Sequence, residues 1–194
     1  MPTPPTPQPP EPPQAGPNTP RWAPSVTVAA VIVRQDPDGP RYLLIEEHTP
    51  EGLRLNNPAG HLERGETPQQ AVVREAREET ARDFAPEALL GVYLARFQRP
   101  ATGEDITYVR IAYAGTAGEA DPSARLDEGI VATHWLTLEE ARATWQRHRS
   151  PLVLRCLEDH AAGRRLPLDA IQADPSLFAP EVKATARDIR DWHT

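Results

Sequence analysis

The amino-acid sequence predicts an α/β chain of the α+β kind: a mixed, largely antiparallel β-sheet with helices packed on it. Three observations predict it. Runs rich in β-branched and aromatic residues, separated by proline- and glycine-containing turns, recur between residues 25 and 136. Helix-starting residues stand at Thr67, Thr137 and Ser150. Strands and helices alternate too sparsely for a doubly wound parallel sheet, and neither a Rossmann glycine motif nor a P-loop is present.

Residues 25–33, Ser-Val-Thr-Val-Ala-Ala-Val-Ile-Val, are apolar on both faces, as a central strand must be. Asp36-Pro-Asp-Gly-Pro40 is a turn, and residues 41–47 form a second strand, so the pair is set for a hairpin. Leu53-Arg-Leu-Asn-Asn-Pro58 reads as a short strand running into a loop through Ala59 and Gly60. Thr67 caps a helix, Pro68 suits its first position and Gln70 completes a capping box; the helix runs from Pro68 to about Thr80, with Ala71, Val72, Val73 and Ala76 on its apolar side. Residues 89–97 and 105–114 are strands carrying Tyr93, Phe97, Tyr108 and Tyr113, joined by a turn over 100–104. His134-Trp-Leu136 is a short strand before a helix opened by Thr137. Ser150-Pro151 opens a third helix, in which Leu152, Val153, Cys156 and Leu157 keep helical spacing. Residues 180–192 form a modest amphipathic helix through Val182, Ala186 and Ile189.

A length of 194 residues suits one domain with a real core. The first 24 residues hold 11 of the 23 prolines and read as a disordered leader, because they offer too little apolar surface to offset ordering. They lack the basic start and apolar run of a signal peptide, and no stretch is apolar enough to span a bilayer. The net charge of -7, with no block of lysines and arginines, argues against a nucleic-acid polymer as partner. A phosphorylated small molecule is still compatible with that charge if metal ions supply the positive charge. The single cysteine, Cys156, excludes an internal disulfide and a thiolate metal cluster; it reads as a buried structural thiol, and a cytoplasmic setting fits.

The chemistry concentrates between residues 60 and 79. Glu75, Glu78 and Glu79 stand at i, i+3 and i+4, so helical geometry converges them on one face. Three close carboxylates repel one another unless a cation intervenes, and their hard oxygens suit Mg²⁺, with Mn²⁺ able to use the same ligands. Arg74 can pair with Glu78 one turn on or reach back to Glu66. Taken alone, Arg-Glu-Ala-Arg-Glu-Glu also describes a solvated helix face. The tight loop before it, with Glu66 just ahead of the cap, makes the combined spacing much rarer.

Gly60, Glu66, Arg74, Glu75, Glu78 and Glu79 match the box Gly-x5-Glu-x7-Arg-Glu-U-x-Glu-Glu-x-Gly-U, where U is a bulky aliphatic residue. The chain thus resembles the Nudix hydrolases. It departs from the box at Ala76, at Ala81 in place of the last glycine, and at Arg82 in place of the last aliphatic. These departures predict an altered helix exit and a solvent-facing Arg82. Residues 25–33, Leu44-Ile-Glu-Glu47, Pro58-Ala-Gly-His-Leu-Glu63, His134-Trp-Leu136 and Ser150-Pro-Leu152 are similar to the bacterial Nudix phosphatase branch. The similarity covers residues 25–171 and leaves 172–194 as a C-terminal extension.

The resemblance implies an α/β/α sandwich with a mixed sheet. It also implies Mg-dependent hydrolysis of phosphoanhydride bonds in nucleoside tri- or diphosphates or in thiamine (pyrimidine) pyrophosphates. Glu75, Glu78, Glu79 and the Ala59 carbonyl would hold the metal, with Glu66 supporting them. Glu78 and Glu79, joined by a loop acid, would carry the chemistry; of Asp127 and Glu128, Glu128 is the choice. Gly60, His61, Glu66, Arg74, Arg54 and Tyr108 complete the expected site. Arg41, Arg96 and Arg110 are further candidates for phosphate, and Tyr93, Phe97 and Tyr113 for a ring. Two rival functions stay open: an ADP-ribose-type dinucleotide diphosphate hydrolase, and a noncatalytic nucleotide-binding module. A homodimer is the default assembly.

Overall fold

The computed structural model describes residues 22–99 and 102–179. Most of the proline-rich leader, part of the expected turn at 100–104 and the expected helix at 180–192 lie outside them. Seven strands and three α-helices follow one another: β1 (Ser25–Asp36), β2 (Gly39–Thr49), β3 (Gly52–Asn56), β4 (Ala59–His61), α1 (Pro68–Thr80), β5 (Phe84–Gln98), β6 (Asp105–Ala117), β7 (Ile130–Leu136), α2 (Leu138–Ala143) and α3 (Pro151–Ala161). The sheet runs β3-β2-β1-β6-β5, with β4 added beside β1 and β7 beside β2. Only the β1–β6 pairing is parallel; the other pairings of named strands are antiparallel.

β1 organises the rest. Its Ser25–Ile32 stretch pairs with β6, while Val33–Asp36 turns to the hairpin with β2, closed by Gly39 at φ 116°. Residues 28–33 are all buried, and the alternation of side chains divides them between two cores. Val28, Ala30 and Ile32 meet Ala71, Val72 and Ala76 of α1, together with Leu89 and Tyr113. Ala29, Val31 and Val33 meet Ala141 of α2 and Val153, Cys156 and Leu157 of α3. One sheet with helices on both faces is the sandwich that the two apolar phases of β1 require. Leu168 and Ile171 pack onto the α1-side core, so the folded unit reaches past α3. No helix among the described residues is long and apolar enough to cross a membrane.

Several strands outrun their sequence signal. β5 begins at Phe84, because Ala85–Ala88 enter the ladder through irregular register beside Pro86. A proline is tolerated on such an edge strand. β4 was expected as loop, yet Gly60 pairs with Val28 and Ala59 with Ala29. These three residues carry little strand propensity; their pairing comes from β1.

Candidate functional site

α1 starts as its sequence dictates: Thr67 Oγ1 accepts from Gln70 N, and the Gln70 side chain accepts from Thr67 N. The helix buries an apolar stripe and, unusually, two carboxylates. Glu75 and Glu79 are each 8% exposed, and Glu78, one residue before Glu79, is the most open of the three. Glu75 and Glu79 therefore lie on the packed side of α1, while Glu78 stands at its open edge.

Each acid has a specific partner. Arg74 donates to Glu66 (3.1 and 2.8 Å), to Glu75 (2.8 Å), to Glu78 (2.9 Å) and to the His61 carbonyl (3.1 Å). The two pairings open in the sequence, forward to Glu78 and back to Glu66, thus occur together. Glu66 also accepts from Glu63 N at 2.8 Å, pinning the loop to the helix. Ala59 N–H donates to Glu79 Oε2 at 2.7 Å.

Gly60 has a steric reason. A Cβ built there would lie 2.1 Å from Glu75 Oε1, so the carboxylate rests where a side chain at residue 60 would otherwise be. Burial shifts the two shielded acids, Glu75 and Glu79. It raises the pKa of Glu79 to about 8, against the hydrogen bond from Ala59 and assisted by the charges of Glu75, Glu47 and Asp127. Burial raises Glu75 too, opposed by Arg74. The Arg74 guanidinium holds Glu66 below the ordinary carboxylate range. Such an acid-rich, dehydrated cluster fits a hard divalent cation by donor chemistry. Among the described residues the acids are not gathered into a ready-made metal cage: Arg74 and the Ala59 N–H hold the oxygens instead.

The loop after β6 caps the other end of α1. Asp127 N donates to the Glu78 carbonyl (3.0 Å), Asp121 N to the Ala81 carbonyl (2.8 Å), and Arg77 pairs with Asp121 (2.9 Å). This brings the Asp127 charge to bear on Glu75 and Glu79; Asp127 and Glu128 are both exposed. Asp127 and Glu128, the choice from the sequence, thus stand side by side on the exposed loop that meets the end of α1.

Two expectations at the helix exit change. Ala81 adopts a left-handed conformation (φ 56°, ψ 26°) that favours glycine, so the helix ends in a glycine-type exit despite the side chain. Arg82 does not face solvent: its side chain is 13% exposed, donates to the Gly118 carbonyl and lies 5.6 Å from the Trp135 ring.

The outer candidates separate. His61 is exposed, with Nε2 3.1 Å from Ser25 Oγ. Arg54, on β3, donates to the neighbouring Leu53 carbonyl, and Tyr108 is half-buried on β6. Arg41 is taken by Asp36 and Glu140, and Arg96 by Asp105, so neither is brought to the acids of α1. Tyr113 is a core residue, Tyr93 donates to Asp159, and Phe97 lies exposed on the edge strand; none of the three joins the cluster.

Sequence reasoning missed Glu47. It is 8% exposed, accepts from Asn56 Nδ2 at 3.0 Å, pairs with Arg149 and acts electrostatically on Glu79. A charged residue ending a buried apolar strand was the available signal.

The NUDIX domain pattern matches residues 25–156. The chain belongs to the Nudix family. It is 30% identical over 148 residues to Phosphatase NudJ of Escherichia coli K12, covering 76% of this chain and 90% of that protein. A NUDIX hydrolase from Nitrosomonas europaea is 45% identical, covers 78% of this chain and 98% of its own, and superposes with a TM-score of 0.69. A MutT NUDIX hydrolase from Burkholderia pseudomallei, at 24% identity, shares the fold with a TM-score of 0.56 over 71% of this chain and 98% of its own. The Nudix chain described here is thus an acid-anhydride hydrolase by family, and Nudix hydrolases generally use divalent metal ions.

Proposed function

We propose that this Nudix hydrolase is a Mg²⁺-dependent phosphatase that releases phosphate from nucleoside tri- or diphosphates or from thiamine-type pyrimidine pyrophosphates. The observation that carries the reading is the buried acidic end of α1, with Gly60 leaving room for Glu75 and Ala59 holding Glu79. The likeness to Phosphatase NudJ over 90% of that protein supports the reaction class.

In this reading Glu75, Glu78, Glu79 and the Ala59 carbonyl hold the cation, and Glu66 and Arg74 fix their approach. A bound divalent cation supplies neutralisation of phosphate oxygens and acidification of water. The chain supplies the rest. Arg74 orients Glu75 and Glu78 through one guanidinium, so the same group fixes both carboxylates. Asp127, which holds no cation in this scheme, takes the proton from water and returns it to solvent through its exposed loop. Gly60, His61, Arg54 and Tyr108 line the approach of the substrate.

Product analysis on a panel of nucleoside tri- and diphosphates, thiamine diphosphate and ADP-ribose tests this. The expected result is inorganic phosphate with a product shorter by one phosphate. Two phosphorylated halves from ADP-ribose would make the chain a dinucleotide diphosphate hydrolase instead. Binding without turnover would make it a nucleotide-binding module. E78Q and E79Q should lower kcat by roughly 10²–10⁴-fold; parental rates in both variants would sink the proposed chemistry.

A further inference from the structure

Arg110, on β6, is buried, and no acid among the described residues forms an ion pair with it. It is 9% exposed, its Nη1 is shielded from solvent and has no hydrogen-bond partner, and its Nη2 makes a single long bond of 3.5 Å to Asn56 Oδ1. The charges of Glu47 and Glu79 reach it, yet both acids are engaged elsewhere: Glu47 by Asn56 and Arg149, Glu79 by Ala59 N–H. Burial opposes its positive charge, and the nearby Arg149 adds to the opposition. A buried guanidinium in this state is costly, because a charge taken from water needs a paired, hydrogen-bonded counterion.

Arg110 stands beside Thr27 of β1 and opposite Tyr93 of β5. By strand alternation it lies on the face of Ala112 and Ala114, the face covered by α3. Ala59, whose N–H holds Glu79, packs against the same core. Arg110 thus lies on the face opposite the apolar stripe of α1, and the Ala59–Glu79 hydrogen bond, with the charge of Glu79 acting on Arg110, links the two. Cations held by the glutamates would also remove much of the negative charge that Arg110 now feels.

We infer that Arg110 is a substrate-binding residue that receives phosphoryl oxygens of the substrate through Nη1, on the side of the phosphate chain away from the acids of α1. This rests on the hydrolase reading and deepens it, by placing part of the phosphate recognition on β6. The single long hydrogen bond leaves Nη1 unused, and the guanidinium fork suits paired phosphate oxygens.

The test uses the full chain with Arg110→Met and Arg110→Lys. Three quantities are read: thermal stability, binding of inorganic pyrophosphate in Mg²⁺ by calorimetry, and KM and kcat on a nucleoside triphosphate. Methionine fills the volume without charge. The R110M protein should melt at or above the parent, bind pyrophosphate at least about tenfold more weakly and raise KM by a similar factor. Lysine keeps a point charge without the fork, so R110K should fall between the two. Unchanged pyrophosphate affinity in R110M overturns the inference and leaves Arg110 a structural residue. Should R110M fail to fold, parental affinity in R110K overturns it equally. Because pyrophosphate binding is read without turnover, an inactive parent would sink the hydrolase reading while this test still decides the role of Arg110.

Discussion

Two glycines on opposite sides of the sheet's centre forbid a Cβ for different ends. At Gly60 the space is taken by the Glu75 carboxylate, 2.1 Å from the built Cβ. At Gly115 it is taken by backbone, with the Ala85 carbonyl oxygen 2.0 Å away. A carboxylate at the end of a flexible side chain can move aside; a paired strand cannot. The first glycine makes room for the carboxylate of the proposed site and the second lets β5 and β6 pair closely. One steric rule thus serves function in one region and stability in the other.

Substitution separates the two. Gly60→Ala should leave the fold intact and displace the Glu75 carboxylate, lowering kcat/KM about 100-fold, the usual effect of an ångström-scale misplacement. A steady-state assay beside a melting curve checks this; a large fall in melting temperature with activity retained would break the contrast. Gly115→Ala should do the reverse, costing about 1–3 kcal/mol through overpacking against Ala85. Denaturant unfolding measures it, and the folded fraction should keep the parental kcat.

The same division extends to pH. Glu79 ionises near 8 in the fold and near 4.5 when unfolded, so the native state binds the extra proton between those values. Stability of the metal-free chain should then fall as pH rises from about 4.5 to about 8, being fully present below the lower value. Saturating Mg²⁺ should flatten that fall, because a cation favours the ionised acid. Melting temperatures across the range, with and without Mg²⁺, report it. A metal-free stability flat in pH would remove burial of Glu79 from the account. The smallest effect belongs to the scaffold end of α1. Ala81→Gly relieves a left-handed alanine, about 1–2 kcal/mol, and loses a buried methyl worth about 0.8 kcal/mol, so it should stabilise by about 1 kcal/mol or less with turnover unchanged.

These regions also differ in how far the sequence could be read. α1 was legible to the residue, because Thr67, Pro68 and Gln70 are local signals and local hydrogen bonds realise them. The spacing of Glu75, Glu78 and Glu79 was legible for the same reason. What the acids touch was not. The Ala59 N–H on Glu79, the reach of Asp127 through the carbonyl of Glu78, and the engagement of Glu47 with Arg149 all join residues distant in the chain. β4 and the start of β5 were hidden because β1 and β6 impose their pairing on residues of low strand propensity. Arg82 misled because a charged residue at an aliphatic position reads as exposed, whereas its stem packs inward and its head finds Gly118 and Trp135.

Calorimetric titration of Mg²⁺ into the full chain and into E79Q, at one pH and ionic strength, tests the central claim most directly. The account predicts saturable binding by the parent, weakened at least about tenfold in a folded E79Q protein. Equal affinity in the two proteins would contradict it, because the buried acids of α1 would then not be what holds the cation.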